Sequence, residues 1–153
     1  MIDLLTKQQL SIVTAESCTA GLIAAVLSEA EGASHCLQGG FVTYAKTQKT
    51  TALGVPAEML AARGSVTGEV ARLMAEGALA RSPATMAVAV TGVLGPEEDE
   101  DGNPVGLVYF ASARRGQPAR IVERRFPPAD ADHLRKAVVI AALELIEVAA
   151  ASA

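Results

Sequence analysis

Ser11-Ile12-Val13-Thr14-Ala15-Glu16-Ser17-Cys18-Thr19-Ala20-Gly21 decides the fold: a short apolar strand runs into small polar residues and then into the apolar pattern Leu22 to Leu27. The first half has the composition of a buried strand and the second the spacing of a helix, so Ser17 falls at a strand-to-helix turn. Unpaired amides of a helix start point outward beside its hydroxyl, which suits either a helix cap or a nucleophile.

Working outward, a helical turn is expected over Ile2 to Gln9, a strand over Ile12 to Ala15 and a helix from Thr19 to Glu29, with a loop through Glu31-Gly32-Ala33-Ser34. A strand follows over Gly39 to Tyr44, then residues of helical composition from Ala45 to Leu53 and a helix from Ala57 to Arg63 with Pro56 at its first turn. Thr67 precedes Val70, Leu73, Met74 and Ala78, the spacing of a capped helix that ends near Ser82-Pro83. Thr85 to Thr91 is apolar through its middle, as a central strand covered on both faces must be, and Gly92 breaks it.

Val105 to Ala113 and Arg120 to Phe126 form a hairpin across a Gly-containing turn. After Pro127-Pro128, Leu134, Ala137, Val138, Ala141, Leu145 and Val148 make the buried stripe of a last helix. The expected fold is one domain over residues 1–153: a three-layer α/β/α arrangement with a mixed, mainly parallel sheet and a C-terminal hairpin and helix.

With 50% apolar and 3% aromatic residues, the interior is filled by Ala, Val, Leu and Ile, which favours close helix-on-sheet packing. The formal charge of -4 argues against a nucleic-acid partner, and Arg114-Arg115 and Arg124-Arg125 are expected as charges on a hairpin edge. Two cysteines, Cys18 and Cys36, make no metal tetrad. No leader and no uncharged apolar run of about 18 residues is present, so no membrane partner and a cytoplasmic location are expected. The Ala-rich face of the last helix suggests a homo-oligomer.

The two histidines, His35 and His133, lie away from strand ends and give little support to a Ser-His-Asp arrangement. Tyr44 closes a strand and Lys49 follows it, while Ser17, Tyr44 and Thr91 meet where parallel strands end. A lysine acts as a base only where burial or nearby cations disfavour its charge, and periodicity alone leaves Lys49 open between that role and a solvated helix position such as Lys46.

Five ordered segments break the tie: Thr14 to Gly21, Gly40 to Tyr44, Gly64-Ser65-Val66-Thr67, Thr91-Gly92-Val93-Leu94-Gly95-Pro96 and Pro104 to Ala111. In that order they resemble the CinA C-terminal domain, a family that includes nicotinamide-nucleotide amidohydrolases. The resemblance implies deamidation of nicotinamide mononucleotide, a small-molecule nucleotide substrate, with no cofactor and no metal. It places the nucleophile at Ser17, the general base at Lys49 and a supporting hydroxyl at Tyr44, and it assigns substrate contact to Cys18, Thr19, Gly21, Thr91, Gly92 and Arg135. The family also includes domains that accompany competence-associated proteins, for which binding without chemistry is the alternative.

Three departures from the family pattern stand out. Ala20-Gly21 replaces paired glycines; Glu97-Glu98-Asp99-Glu100-Asp101-Gly102-Asn103 replaces a glycine-rich loop; and the segment from Phe126 to Arg135 lacks a Gly-Asp-Arg triplet. The acidic run is expected as a solvated loop pointing away from the site. Arg135 is left as the candidate to hold a phosphate.

Overall fold

The computed structural model describes residues 1–152. In chain order, helix α1 (Ile2–Lys7) precedes strand β1 (Ile12–Glu16), helix α2 (Leu22–Glu29) and strand β2 (Leu37–Val42). Helices α3 (Lys46–Leu53), α4 (Ala57–Arg63) and α5 (Gly68–Ala80) follow, then strand β3 (Met86–Gly92), the hairpin β4 (Leu107–Arg114) and β5 (Arg120–Arg125), and helix α6 (Ala131–Ala151). The sheet order is β2-β1-β3-β4-β5. β1 runs parallel to β2 and β3, and the hairpin closes the other side antiparallel, giving the mixed α/β sheet expected.

Strand alternation sorts side chains to two faces. Ile12, Met86, Val88, Val90, Val108 and Phe110 pack under α1, α2 and α6. Val13, Ala15, Ala87, Ala89, Ala111 and Ala113 lie under α3, α4 and α5. The small side chains are therefore concentrated on the second face, where they let the α5 residues Ala71, Ala75 and Ala78 approach the strands closely.

Several boundaries differ from the sequence expectation for identifiable reasons. α2 begins at Leu22 rather than Thr19, because Ala20 (φ 52) and Gly21 (φ 96) are both left-handed and form a turn. β2 runs Leu37–Val42, with Gly39 and Gly40 inside it: a Cβ on Gly40 would sit 2.4 Å from Thr14 Oγ1, so the residue that looks like a strand entrance permits close approach of β1. β4 starts at Leu107, after a turn in which its amide donates to the Pro104 carbonyl at 3.2 Å.

Thr67 caps α5, accepting from the Val70 amide at 3.1 Å, and Asp130 caps α6, accepting from the His133 amide at 3.0 Å. In α6 the buried stripe runs Leu134, Val138, Ala141, Leu145 and Ala149; Val148, expected within it, is 46% exposed at the rim of the stripe, where it lines an open groove beside Arg120 and Arg124 of β5. The Ala-rich face of α6 (Ala141, Ala142, Ala149, Ala150) packs into the protein's own core and is not free for self-association.

Arg114 and Arg115 are also more than edge charges. Arg114 donates to the Ala149 and Ser152 carbonyls at the end of α6, and Arg115 to the Leu79, Ser82 and Ala84 carbonyls around the end of α5. Among the described residues, no helix is long and apolar enough to cross a membrane.

Candidate active site

Parallel β1, β2 and β3 end at one edge, and the loops beyond them line a cleft of about 380 Å³. Ser17, the first residue after β1, lies on its wall and is 7% exposed. Its backbone is fixed by donation from its amide to the Val90 carbonyl at 3.1 Å.

Lys49 lies on α3, 32 residues further along the chain and with no exposed surface. Its Nζ is 2.9 Å from Ser17 Oγ, 2.6 Å from the Thr43 carbonyl and 3.1 Å from the Tyr44 carbonyl. Burial pulls its pKa down from 10.5 to about 8; the nearby Cys18 opposes this fall and the Lys46 cation adds to it. A neutral amine has two N–H donors and one lone pair. With the two donors on the carbonyls of Thr43 and Tyr44, the lone pair is left for the Ser17 hydroxyl proton.

Tyr44 lines the cleft with 74% of its surface exposed, and its carbonyl, not its hydroxyl, is what holds the amine. Cys18 also lines the cleft, but burial pushes its thiol up to about 12, so the thiolate needed for nucleophilic attack is not available near neutral pH.

Thr91 and Gly92 line the cleft, and Thr91 Oγ1 donates to the Ser65 carbonyl at 2.8 Å, tying β3 to the loop before α5. The Thr19 side chain and Gly21, expected to touch substrate, turn from the cleft toward Glu16. Both donate instead to the Glu16 carboxylate, from the Thr19 hydroxyl at 2.6 Å and the Gly21 amide at 3.0 Å. Neither His35 nor His133 reaches the cleft.

Within the turn after β1, the amides of Ser17, Ala20, Gly21 and Leu22 are all paired, respectively with Val90 O, Ser17 O, Glu16 and Thr19 O. Among the described residues, the amides of Cys18 and Thr19 donate to no backbone carbonyl, and the Cys18 amide faces only its own thiol. They are the donors this turn has to spare for an oxyanion.

The acidic run does not point away from the site. Glu97, Glu98 and Asp99 line the cleft together with Arg135, and Lys46 holds the loop from below through Glu100 at 2.6 Å and Asp101 at 3.0 Å. Asp99 shapes the loop by accepting from the Asp101 and Asn103 amides and the Asn103 side chain. Lys46 is thus an ion-pair anchor on the same helix as Lys49, three residues before it. Among the described residues, the Nε of Arg135 is buried without a partner.

Sequence reasoning missed the part played by Glu16, which is fully buried. The available signal was a carboxylate inside an otherwise small and apolar stretch immediately before a helix start.

Fold and site together define an α/β domain with a buried Ser–Lys pair beneath a small-molecule-sized cleft. The chain belongs to the CinA C-terminal domain family, whose model matches residues 1–149. A nicotinamide-nucleotide amidohydrolase, PncC, of Pseudomonas putida is 42% identical over 134 residues, covering 87% of this chain and 82% of that protein.

A putative competence-damage inducible protein of Symbiobacterium thermophilum is 50% identical over 114 residues, covering 74% of this chain but 27% of its own length. Several of the curated relatives are similarly long, and this chain matches between 24% and 34% of them. The crystal structure of competence/damage inducible protein CihA from Agrobacterium tumefaciens superposes with a TM-score of 0.91 at 42% identity, covering 96% of this chain and 89% of that one.

Proposed function

We propose that this chain is an amidohydrolase that converts nicotinamide mononucleotide to nicotinate mononucleotide and ammonia in pyridine-nucleotide salvage. The observation that carries the reading is the 2.9 Å contact between Lys49 Nζ and Ser17 Oγ, with the other two partners of the amine being carbonyls.

In the reaction, neutral Lys49 takes the Ser17 hydroxyl proton while Oγ attacks the carboxamide carbon. The carbonyl oxygen gains the charge, and the Cys18 and Thr19 amides stabilise it, an effect of about 3 kcal/mol per donor in comparable sites. The Lys49 ammonium returns the proton to the leaving nitrogen, ammonia departs and an ester to Ser17 remains. Water, deprotonated by Lys49, attacks that ester, and Ser17 recovers its proton as the acid leaves. Arg135 faces the nucleotide's phosphate.

The test is ammonia release by purified protein from nicotinamide, its riboside and its mononucleotide. Release from the mononucleotide in preference to the other two, lost in Ser17→Ala with the fold retained, supports the reading; full turnover by Ser17→Ala removes the nucleophile.

One observation favours a second reading, a domain that binds a nucleotide or partner without chemistry: three carboxylates, Glu97, Glu98 and Asp99, share the cleft with Arg135. Calorimetry that detects binding of the mononucleotide, with no ammonia formed over hours, selects that reading.

A further inference from the structure

Glu16 performs no step in the mechanism above, yet it is fully buried and immediately precedes the nucleophile. Its Oε2 accepts from Thr19 Oγ1 at 2.6 Å and from the Gly21 and Ile23 amides at 3.0 Å each; its Oε1 accepts from Thr14 Oγ1 at 3.0 Å and from the Ala24 amide at 2.9 Å. All five partners are donors. Three of them are amides at and just inside the start of α2, where a helix leaves its first N–H groups unpaired and where ligand anions commonly bind.

We infer that Glu16 is a positioning residue for the hydrolysis, an internal anion that fixes the backbone after Ser17 so that only the Cys18 and Thr19 amides remain for the reacting oxygen. The inference rests on the amidohydrolase reading. Two features of the turn call for such a clamp. Ala20 and Gly21 are consecutive left-handed residues, a conformation that an alanine holds only when its surroundings enforce it. The segment also carries the nucleophile, so a displacement of about 1 Å at the turn moves the attacking atom and the oxyanion donors relative to each other.

The same contacts determine where the substrate's anion cannot go. With Gly21, Ile23 and Ala24 amides already taken by Glu16, the start of α2 is closed to phosphate. Among the described residues that line the cleft, Arg135 is the one cation. A carboxylate in the place of a ligand anion thereby separates two tasks: the turn serves the carboxamide, and the α6 end serves the rest of the molecule.

The test uses the full chain carrying Glu16→Gln, which keeps the shape but presents a donor to one set of amides. Expected are a native circular dichroism spectrum and cooperative melt, a fall of about thirtyfold or more in kcat for ammonia release, and a KM within about threefold of the starting protein. The pH limb set by Lys49 stays near its original value, because Glu16 does not touch the amine. Independently of turnover, amide hydrogen exchange over residues 18–24 accelerates while β3 is unchanged.

A folded Glu16→Gln protein with an unchanged kcat, or with unchanged exchange over 18–24, overturns the inference. So does a loss confined to KM. If the glutamine variant does not fold, Glu16→Asp, one methylene short of the Ile23 and Ala24 amides, carries the same comparison. A starting protein that releases no ammonia from any carboxamide overturns the amidohydrolase reading instead, and the exchange measurement then decides separately whether Glu16 holds the turn.

Discussion

Raising the pH should switch this protein on, and the midpoint is fixed by the burial of one amine. With the Lys49 pKa near 8, the neutral form makes up about 1% of the protein at pH 6, about 10% at pH 7 and about half at pH 8. The single-turnover rate of ammonia release from nicotinamide mononucleotide should therefore rise about ninefold from pH 6 to 7, about fivefold from 7 to 8 and less than about twofold from 8 to 9.

The same titration has a stability counterpart. Below pH 8 the amine is protonated both folded and unfolded, and the folded state bears the full cost of burying the cation. Between 8 and 10.5 the unfolded chain binds the extra proton, so stability rises with pH. At about 1.4 kcal/mol per pH unit the gain approaches about 3 kcal/mol across that window.

Chemical denaturation of the starting protein and Lys49→Met at pH 7.5 and pH 10 isolates this term, because the other titrating groups are common to both. The variant should be inactive and should lack most of the rise. A rate that is level from pH 6 to 9, or a stability difference that does not change with pH, would refute the assignment of Lys49 as a buried base.

Lys46→Ala should move the rate limb upward, since the Lys46 cation helps depress Lys49, and should leave the loop bearing Glu100 and Asp101 unanchored; the checks are the pH–rate profile and the salt dependence of KM. Thr67→Ala removes the cap of α5 and should lower stability by about 1 kcal/mol in urea denaturation. Ala20→Gly relieves a left-handed alanine and should raise stability by about 1 kcal/mol or less, the gain being reduced by the greater freedom of glycine in the unfolded chain. Arg135→Ala should raise KM for the mononucleotide by at least about tenfold while leaving KM for the riboside within about twofold.

Much of the architecture was legible because it depends on local pattern. Apolar runs at Ile12 and Met86, the 3.6-residue spacing in α5 and α6 and the hairpin turn at Gly116 each leave a period or a breaker in the sequence. The features that escaped depend on contacts between distant segments. Gly40 looks like a strand boundary until Thr14 is found against it, and Arg115 looks like a surface charge until the end of α5 lies across it.

The acidic loop escaped for the same reason: a run of carboxylates is solvated by default, and only Lys46, 54 residues before Glu100, reveals that the loop is held over the cleft. Ser17 and Lys49 stand out singly, at a strand-to-helix turn and after a strand end, but only the resemblance to a family pairs them, since neither spacing nor periodicity relates two side chains 32 residues apart. Glu16 carries no signature of its role in the sequence, because a lone carboxylate does not announce its five donors.

The amine beside Ser17 hangs from the outermost strand on one side of the sheet, since among the described residues β2 has β1 as its single neighbour and α3 follows directly from it. In any partly assembled chain where that edge has not docked, Lys49 is an ordinary wet lysine, charged and unable to accept a proton. On the amidohydrolase reading, turnover therefore requires that edge strand in place, which makes ammonia release itself a gauge of complete assembly.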